Sequence, residues 1–179
     1  MSAEPSLPVW PPGSPAALRA ALEIVLSDAA FVACMAIDDP GPLPPPTLEV
    51  EVELRREPRD PGAGDDAGAG VGEGALLLWL SAPADAALLV AQDMLGQLEP
   101  PAPAEVWACW LELVNIVAGR LAPAVCPPGA LVRLGAPRRR PGPPPPAGQA
   151  IAVQTDSGAV LRAGLIGALG ALSGPGGAP

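Results

Sequence analysis

Between Pro103 and Ala124 the chain reads PAEVWACWLELVNIVAGRLAPA, a long run with helical periodicity and one polar stripe. Residues three and four apart share a face of a helix. Trp107, Trp110, Leu111, Val114, Ala118 and Leu121 fall together as an apolar face. Ala108, Glu112, Asn115 and Gly119 fall together on another face. A segment of this kind folds only if its apolar side is buried against other elements. The stripe left outside then offers one carboxylate and one carboxamide a turn apart, bracketed by two very small residues. Whatever meets that stripe can approach the helix closely.

Composition bounds the rest. The 179 residues suffice for one domain with a real core, and 49% of them are hydrophobic, which excludes a disordered acidic tail. Pro (27) and Gly (21) make up about a quarter of the chain, but they are clustered and leave the core segments clean. The net charge of −9 disfavours a nucleic-acid partner, because an acidic surface repels phosphate backbones. With no His, Ser-His-Asp and Cys-His nucleophilic schemes and most zinc sites are excluded. Cys34, Cys109 and Cys126 form no CxxC pair and read as reduced thiols, with Cys34 and Cys109 expected to be buried. The N-terminus carries neither a basic region nor a long apolar run, and no apolar run is expected to span a bilayer, so a soluble cytoplasmic protein without membrane contacts is expected.

Along the chain, residues 1–13 are Pro-rich and expected to be disordered. Ser14-Pro15 starts a helix that runs to about Ala30. Residues 31–37 are ambiguous between helix end and strand. Thr47–Arg55 alternates without error, with Leu48, Val50, Val52 and Leu54 on one side and Glu49, Glu51, Glu53 and Arg55 on a face expected to be wet. Pro/Gly-rich insertions occupy 56–74 and 135–148. Residues 58–73 and 138–147 are expected to be irregular, and Arg138-Arg139-Arg140 to be a solvated loop. Ala75–Leu80 is an apolar, central strand, and Ser81 is expected to cap a helix ending at Gly96. Pro123 is expected to end or kink the 103–124 helix. A strand at 130–134 and a hairpin around Asp156-Ser157-Gly158 complete a single domain over 14–169, followed by a disordered tail at 170–179. This order gives an α/β (α+β) fold with helices packed on a largely antiparallel sheet.

The Glu112-Leu-Val-Asn115 core, its Ile-Val-Ala-Gly119 continuation and this order of elements resemble the CheX/CheC/FliY family of chemotaxis phosphatases. The resemblance covers about residues 15–169 apart from the insertions. Two details bear on the match: Ala108 stands where that family often has a small polar or acidic residue, and Pro137 sits near the position of a family proline. The resemblance implies a CheX/CheC-like fold. It also implies a hydrolase that removes the phosphoryl group from the aspartate of a phosphorylated CheY-like response regulator, in chemotaxis or related two-component signalling. Glu112 and Asn115 are then the catalytic pair, and Ala108 and Gly119 line the partner-binding stripe. No cofactor or metal of its own is implied, since the Mg²⁺ and the active-site Lys belong to the partner receiver. Dimers joined through sheet edges are known in that family, so a homodimer is a possible partner too.

On this reading the protein must supply a positioned in-line water, because phosphoryl transfer is catalysed mostly by positioning and electrostatics. The Asn115 amide can accept from that water and donate to phosphoryl oxygens without gaining charge. The Glu112 carboxylate can pair with the receiver's Lys and fix the helix in register. Two other readings stand beside it: a catalytically silent module that binds a receiver or a chemosensory partner, and a structural subunit of a motor switch complex. Trp107 and Trp110, which could be read as a recognition pair, are expected to pack in the core.

Overall fold

The computed structural model describes residues 14–37, 43, 47–56, 75–126, 131–140 and 150–167. In chain order they form α1 (Ser14–Ala30), β1 (Cys34–Ile37), β2 (Thr47–Arg56), β3 (Ala75–Pro83), α2 (Ala84–Leu95), α3 (Pro103–Val125), β4 (Val132–Leu134), β5 (Arg138–Arg139), β6 (Ala150–Thr155) and β7 (Val160–Gly167). The seven strands make one sheet in the order β1-β6-β7-β3-β2-β4, with β5 also on β2, and every pairing is antiparallel. The segments expected to be irregular at 1–13, 58–73 and 172–179, and residues 141–147, lie outside the described residues.

The alternation in β2 decides which face of the sheet the helices cover. Val50, Val52 and Leu54 are buried on that face. Beside them, Leu76, Leu78 and Leu80 of β3, Leu161 and Leu165 of β7, and Val153 of β6 continue the apolar surface. The helices meet it with Leu18, Leu22, Val25 and Leu26 from α1 and with Trp110, Leu113, Val114, Val117 and Leu121 from α3, all inside one core. Trp110 is 1% exposed, and its indole N–H donates to the Ala87 carbonyl of α2 at 3.0 Å. That bond satisfies the one polar atom of a large buried aromatic and joins α3 to α2. α3 is long and apolar enough to cross a membrane by length and composition, but half of its apolar window is buried inside the protein. Here it is the core helix.

Several boundaries differ from the expectations, each for a local reason. Ser81 does not cap α2. Strand β3 continues through it, held between Glu49 of β2 and Arg162 of β7, and the helix begins after Pro83. Gly96 does end α2, at φ 62, with its own N–H on Asp93 O and the Gln97 N–H on Gln92 O. The α1–β1 junction repeats this geometry with an unusual residue: Phe31 takes φ 54, and the Val32 N–H reaches back to Leu26 O at 3.1 Å. A bulky side chain where glycine is preferred gives residues 31–37 their ambiguous sequence signal. Pro123 neither ends nor breaks α3, which runs to Val125. Only the last turn lies beyond Pro123, and the carbonyl it would crowd belongs to Gly119 on the exposed side.

The largest correction concerns the charged face of β2 and the arginine triplet. The Glu49–Glu51–Glu53 face is not simply wet, and Arg138–Arg140 is not a solvated loop. Residues 135–140 run along the edge of β2: the Gly135 N–H donates to Glu53 O (2.8 Å) and the Arg140 N–H to Glu49 O (2.9 Å), with β5 between them. An extended segment points alternate side chains to opposite faces. Arg138 and Arg140 therefore lie with the glutamates, and Glu51, only 3% exposed, receives Arg138 Nε at 2.7 Å and Arg140 Nη1 at 3.1 Å. Glu49 sits at the fringe of this cluster, 3.8 Å from Arg140 Nε. Burial pushes its carboxyl above the usual range, with Arg140 and the Thr47 hydroxyl pulling the other way. Arg139 points to the helix face, where its guanidinium lies 4.1 Å from the centre of the Trp107 ring.

Removing one partner of a buried ion pair strands the other. Arg140 is 12% exposed at its side chain and would be left with the distant Glu49, whereas Arg138 is already mostly in water. Glu51→Ala is expected to destabilise the fold by about 2–3 kcal/mol in urea titration. Glu53→Ala, which breaks only the solvent-screened Glu53–Arg55 bridge, is expected to change stability by less than about 0.5 kcal/mol. Equal effects from the two variants would mean that the buried pair does not hold β5 to β2.

Candidate functional site

The exposed side of α3 carries the four residues singled out in the sequence. Ala108, Glu112 and Gly119 are exposed and Asn115 is half-buried, all on one stripe. Between them on the helix stand Trp110, Leu113, Val114, Val117 and Ala118, each no more than 1% exposed. The stripe is thus the outer edge of a helix whose other side is fixed in the core. Among the described residues neither Glu112 nor Asn115 makes a side-chain hydrogen bond or ion pair, so both are available to a second molecule. Their Cβ atoms are about 5–6 Å apart, as for any pair one turn apart on a helix.

The helix is also secured at its start. The Ala102 N–H donates to the Glu105 carboxylate at 2.7 Å, one half of a capping box whose other half Ala102 cannot provide. Beyond the stripe, Arg120 reaches Asp28 of α1 at 3.7 Å, with both side chains more than half exposed, which contributes little. Gly119 stands in open space: a Cβ built there meets nothing within 4 Å. The fold does not require glycine at this position, although glycine costs a helix about 1 kcal/mol relative to alanine.

The apolar face is broader and rotated relative to the sequence reading. Trp110, Val114, Ala118 and Leu121 are buried as expected, but Trp107 and Leu111 are only half-buried. Val106, Leu113 and Val117 complete the buried arc. Almost every residue of α3 is apolar, so periodicity alone leaves the centre of the arc undefined. The polar stripe defines it: the buried centre lies diametrically opposite Glu112 and Asn115, and Trp107 and Leu111 fall on its margin. The expectation that both tryptophans are core residues therefore holds for Trp110 only. The Trp107–Arg139 contact was invisible from α3 itself. A signal did exist in the match between Glu-x-Glu at 49–51 and Arg-x-Arg at 138–140, two oppositely charged segments with the same strand period.

Among the described residues no three Cys, Asp or Glu side chains are grouped as metal ligands. Burial raises all three thiols. Cys34, half-buried rather than buried, reaches about 11, helped by Glu23 and Asp156, and Cys109 is raised further by the nearby Glu105. Cys126 is raised by burial against the opposing pull of Arg56. These thiols are protonated at neutral pH, and none is an activated nucleophile.

No family model matches this chain, and no curated protein matches it in sequence. Solved structures do match. The chemotaxis protein CheX from Desulfovibrio desulfuricans is 14% identical, with 85% of this chain and 97% of that one covered and a TM-score of 0.57. A chemotactic CheC-like protein from Shewanella oneidensis is 14% identical, with 86% and 98% covered and a TM-score of 0.57. A chain of the CheX–CheY–BeF3–Mg²⁺ complex from Borrelia burgdorferi is 17% identical, with 84% and 95% covered and a TM-score of 0.56. The chain has a CheX/CheC-type fold, with three helices on an antiparallel sheet.

Two outcomes follow from the site geometry. Gly119→Ala is expected to raise stability by about 0.5–1 kcal/mol in urea titration, since the methyl group meets no neighbour and the helix gains propensity. A loss of stability would show that the glycine serves the fold. Iodoacetamide at pH 8 is expected to modify Cys34 about a hundredfold more slowly than an unperturbed thiol, because a shift from 9.0 to about 11 lowers the thiolate fraction by that factor.

Proposed function

We propose that this protein hydrolyses the aspartyl phosphate of a CheY-like response regulator, with Glu112 and Asn115 of α3 as the working pair. The observation that carries this reading is the stripe itself: a carboxylate and a carboxamide, unpartnered within the described residues, on a helix held from behind by Trp110, Leu113, Val114 and Val117. It lies on a fold shared with CheX proteins, one of whose structures is a complex with CheY, BeF3 and Mg²⁺.

The roles follow from the chemistry of the groups. The Asn115 carboxamide oxygen accepts a hydrogen bond from a water placed in line with the phosphorus. The water oxygen bonds to phosphorus, the bond from phosphorus to the aspartyl oxygen breaks, and the aspartate leaves as a carboxylate. The water's proton ends on the phosphate product or in solvent. An amide does this without taking up charge, and a helix fixed in the core places it without reorganisation at the moment of reaction. The Glu112 carboxylate pairs with a cation of the regulator's active site and sets the register of the docked helix. Ala108 and Gly119 keep the stripe low enough for the regulator's backbone to approach. The Mg²⁺ belongs to the regulator, and the reading places the reaction in the cytoplasm, where such regulators act.

The test is phosphate release from a panel of phosphorylated receiver domains of the same organism. Asn115→Ala is expected to lower the turnover rate about a hundredfold with little change in receiver binding, because positioning of the water matters chiefly in the transition state. Glu112→Ala is expected to weaken binding as well, and to flatten the salt dependence of the wild-type interaction. Asn115→Ala that dephosphorylates a regulator as fast as wild type would rule out the water-positioning role. Wild type that binds receivers without shortening the phosphate's lifetime would establish a silent binding module instead.

A further inference from the structure

The arginine triplet is divided between the two faces of the sheet edge. Arg138 and Arg140 neutralise Glu51 on the sheet face away from the helices. Arg139, alternating to the other side, is exposed and pairs with no carboxylate of the described residues. Its guanidinium lies 4.1 Å from the Trp107 ring centre. Stacking on an aromatic face restrains a long side chain while leaving its charge in water. The ring beneath it is half-buried on the flank of α3, one residue before Ala108. A cation is therefore held on the flank of α3, at the margin between the buried arc and the exposed side that carries Glu112 and Asn115.

We propose that Arg139 is a docking contact for the anionic rim of the phosphorylated receiver, with Trp107 as the residue that positions it. This rests on the function proposed above and adds to it the electrostatics of the encounter. A receiver that holds Mg²⁺ beside an aspartyl phosphate must gather carboxylates around the metal, so the face presenting the phosphoryl group has an acidic surround. The present chain carries −9 and places Glu112 on the approaching stripe. Two acidic faces repel, which slows encounter and weakens binding unless positive charge is placed opposite the partner's rim. Arg139 meets that need. From Trp107 to Glu112 the axial rise is about 7.5 Å with a rotation of about 140° around the helix, and to Asn115 it is about 12 Å with a rotation of about 80°. At that range Arg139 contacts the rim rather than the reacting atoms, and its effect belongs in affinity, not in the chemical step.

The experiment compares wild type, Arg139→Gln, Arg139→Lys, Trp107→Leu and Asn115→Ala. Steady-state turnover uses phosphorylated receiver domains, and equilibrium binding uses the same receivers loaded with beryllofluoride and Mg²⁺. Arg139→Gln is expected to raise KM, and Kd for the beryllofluoride-loaded receiver, about five- to tenfold at low ionic strength. The difference should shrink to about twofold near 0.5 M salt, and kcat should stay within about twofold of wild type. Arg139→Lys recovers most of the affinity, and Trp107→Leu moves affinity in the same direction as Arg139→Gln. The thermal midpoint of Arg139→Gln should move by no more than about 3 °C, as expected for the loss of one exposed cation–ring contact. Wild-type KM and salt dependence in Arg139→Gln, alongside an Asn115→Ala variant that has lost turnover, would overturn the docking role and leave the proposed activity standing. A fall in kcat at unchanged KM would also overturn it. Wild type that neither binds nor dephosphorylates any receiver would overturn both.

Discussion

Helix α3 meets α1, α2 and the sheet at once, and that enclosure sets the geometry of everything else. A helix covered on several sides buries more than half of its circumference, and the only strip it can leave outside is one where burial would be costly. Glu112 and Asn115 supply that cost. A carboxylate or carboxamide placed in this core would lose its hydration with no partner to replace it. Their position fixes the rotation of the helix about its axis, and Trp110, Leu113, Val114 and Val117 are carried inward as a consequence. The same residues that are available for chemistry therefore also orient the core helix. The rigidity of the stripe comes from behind it: Trp110 fills the space towards α2 and finds its one hydrogen-bond acceptor there at 3.0 Å. Truncating such a residue usually costs about 3–5 kcal/mol, and here it would also free the helix to roll.

A second constraint acts on the far side of the sheet. Strand β2 carries three glutamates in alternation, a pattern that reads as a solvated face until something covers it. The segment after β4 provides the cover by lying along β2 in strand register, which brings Arg138 and Arg140 to Glu51. Burying Glu51 is tolerable because two guanidinium groups approach its two carboxylate oxygens at hydrogen-bonding distance. The edge of β2 is thereby paired with this segment.

Much of this was legible in the sequence because it rests on short-range periodicity. The 47–55 alternation, the wholly apolar 75–80 run, the hairpin around Asp156-Ser157-Gly158 and the stripe on α3 each follow from one element's own pattern. The features that were missed depend on two segments far apart in sequence. Glu51 looks wet until Arg138, 87 positions later, is placed beside it, and Trp107 looks like a core residue until Arg139 is placed above it. Local propensity also misjudged Ser81 and Pro123. A good N-cap residue was drawn into β3 by its neighbours in β2 and β7, and a helix breaker was tolerated where only one turn remained. At Ser81 the strand partners outweighed a capping preference of about 1 kcal/mol, and at Pro123 the position near the helix end spared most of the roughly 3 kcal/mol that proline costs a helix interior.

These two constraints converge at the strand β5. A single change of strand parity there would reverse the arginines of 138–140: Arg139 would face the glutamates, and Arg138 and Arg140 would face α3. Glu51 would then have one guanidinium opposite it instead of two, and its burial would be costly. The register that neutralises Glu51 is therefore the register that delivers Arg139 to Trp107. Since β5 pairs Val50 with Arg139 and Glu51 with Arg138, the energy that fixes this parity comes from the sheet side, where the charges are buried. The contact on α3 adds only the small stabilisation of an exposed cation on a ring. A charge whose position is set by a strong interaction elsewhere can remain solvated and unpaired in the free protein, and that is the state in which it has most to offer an acidic partner.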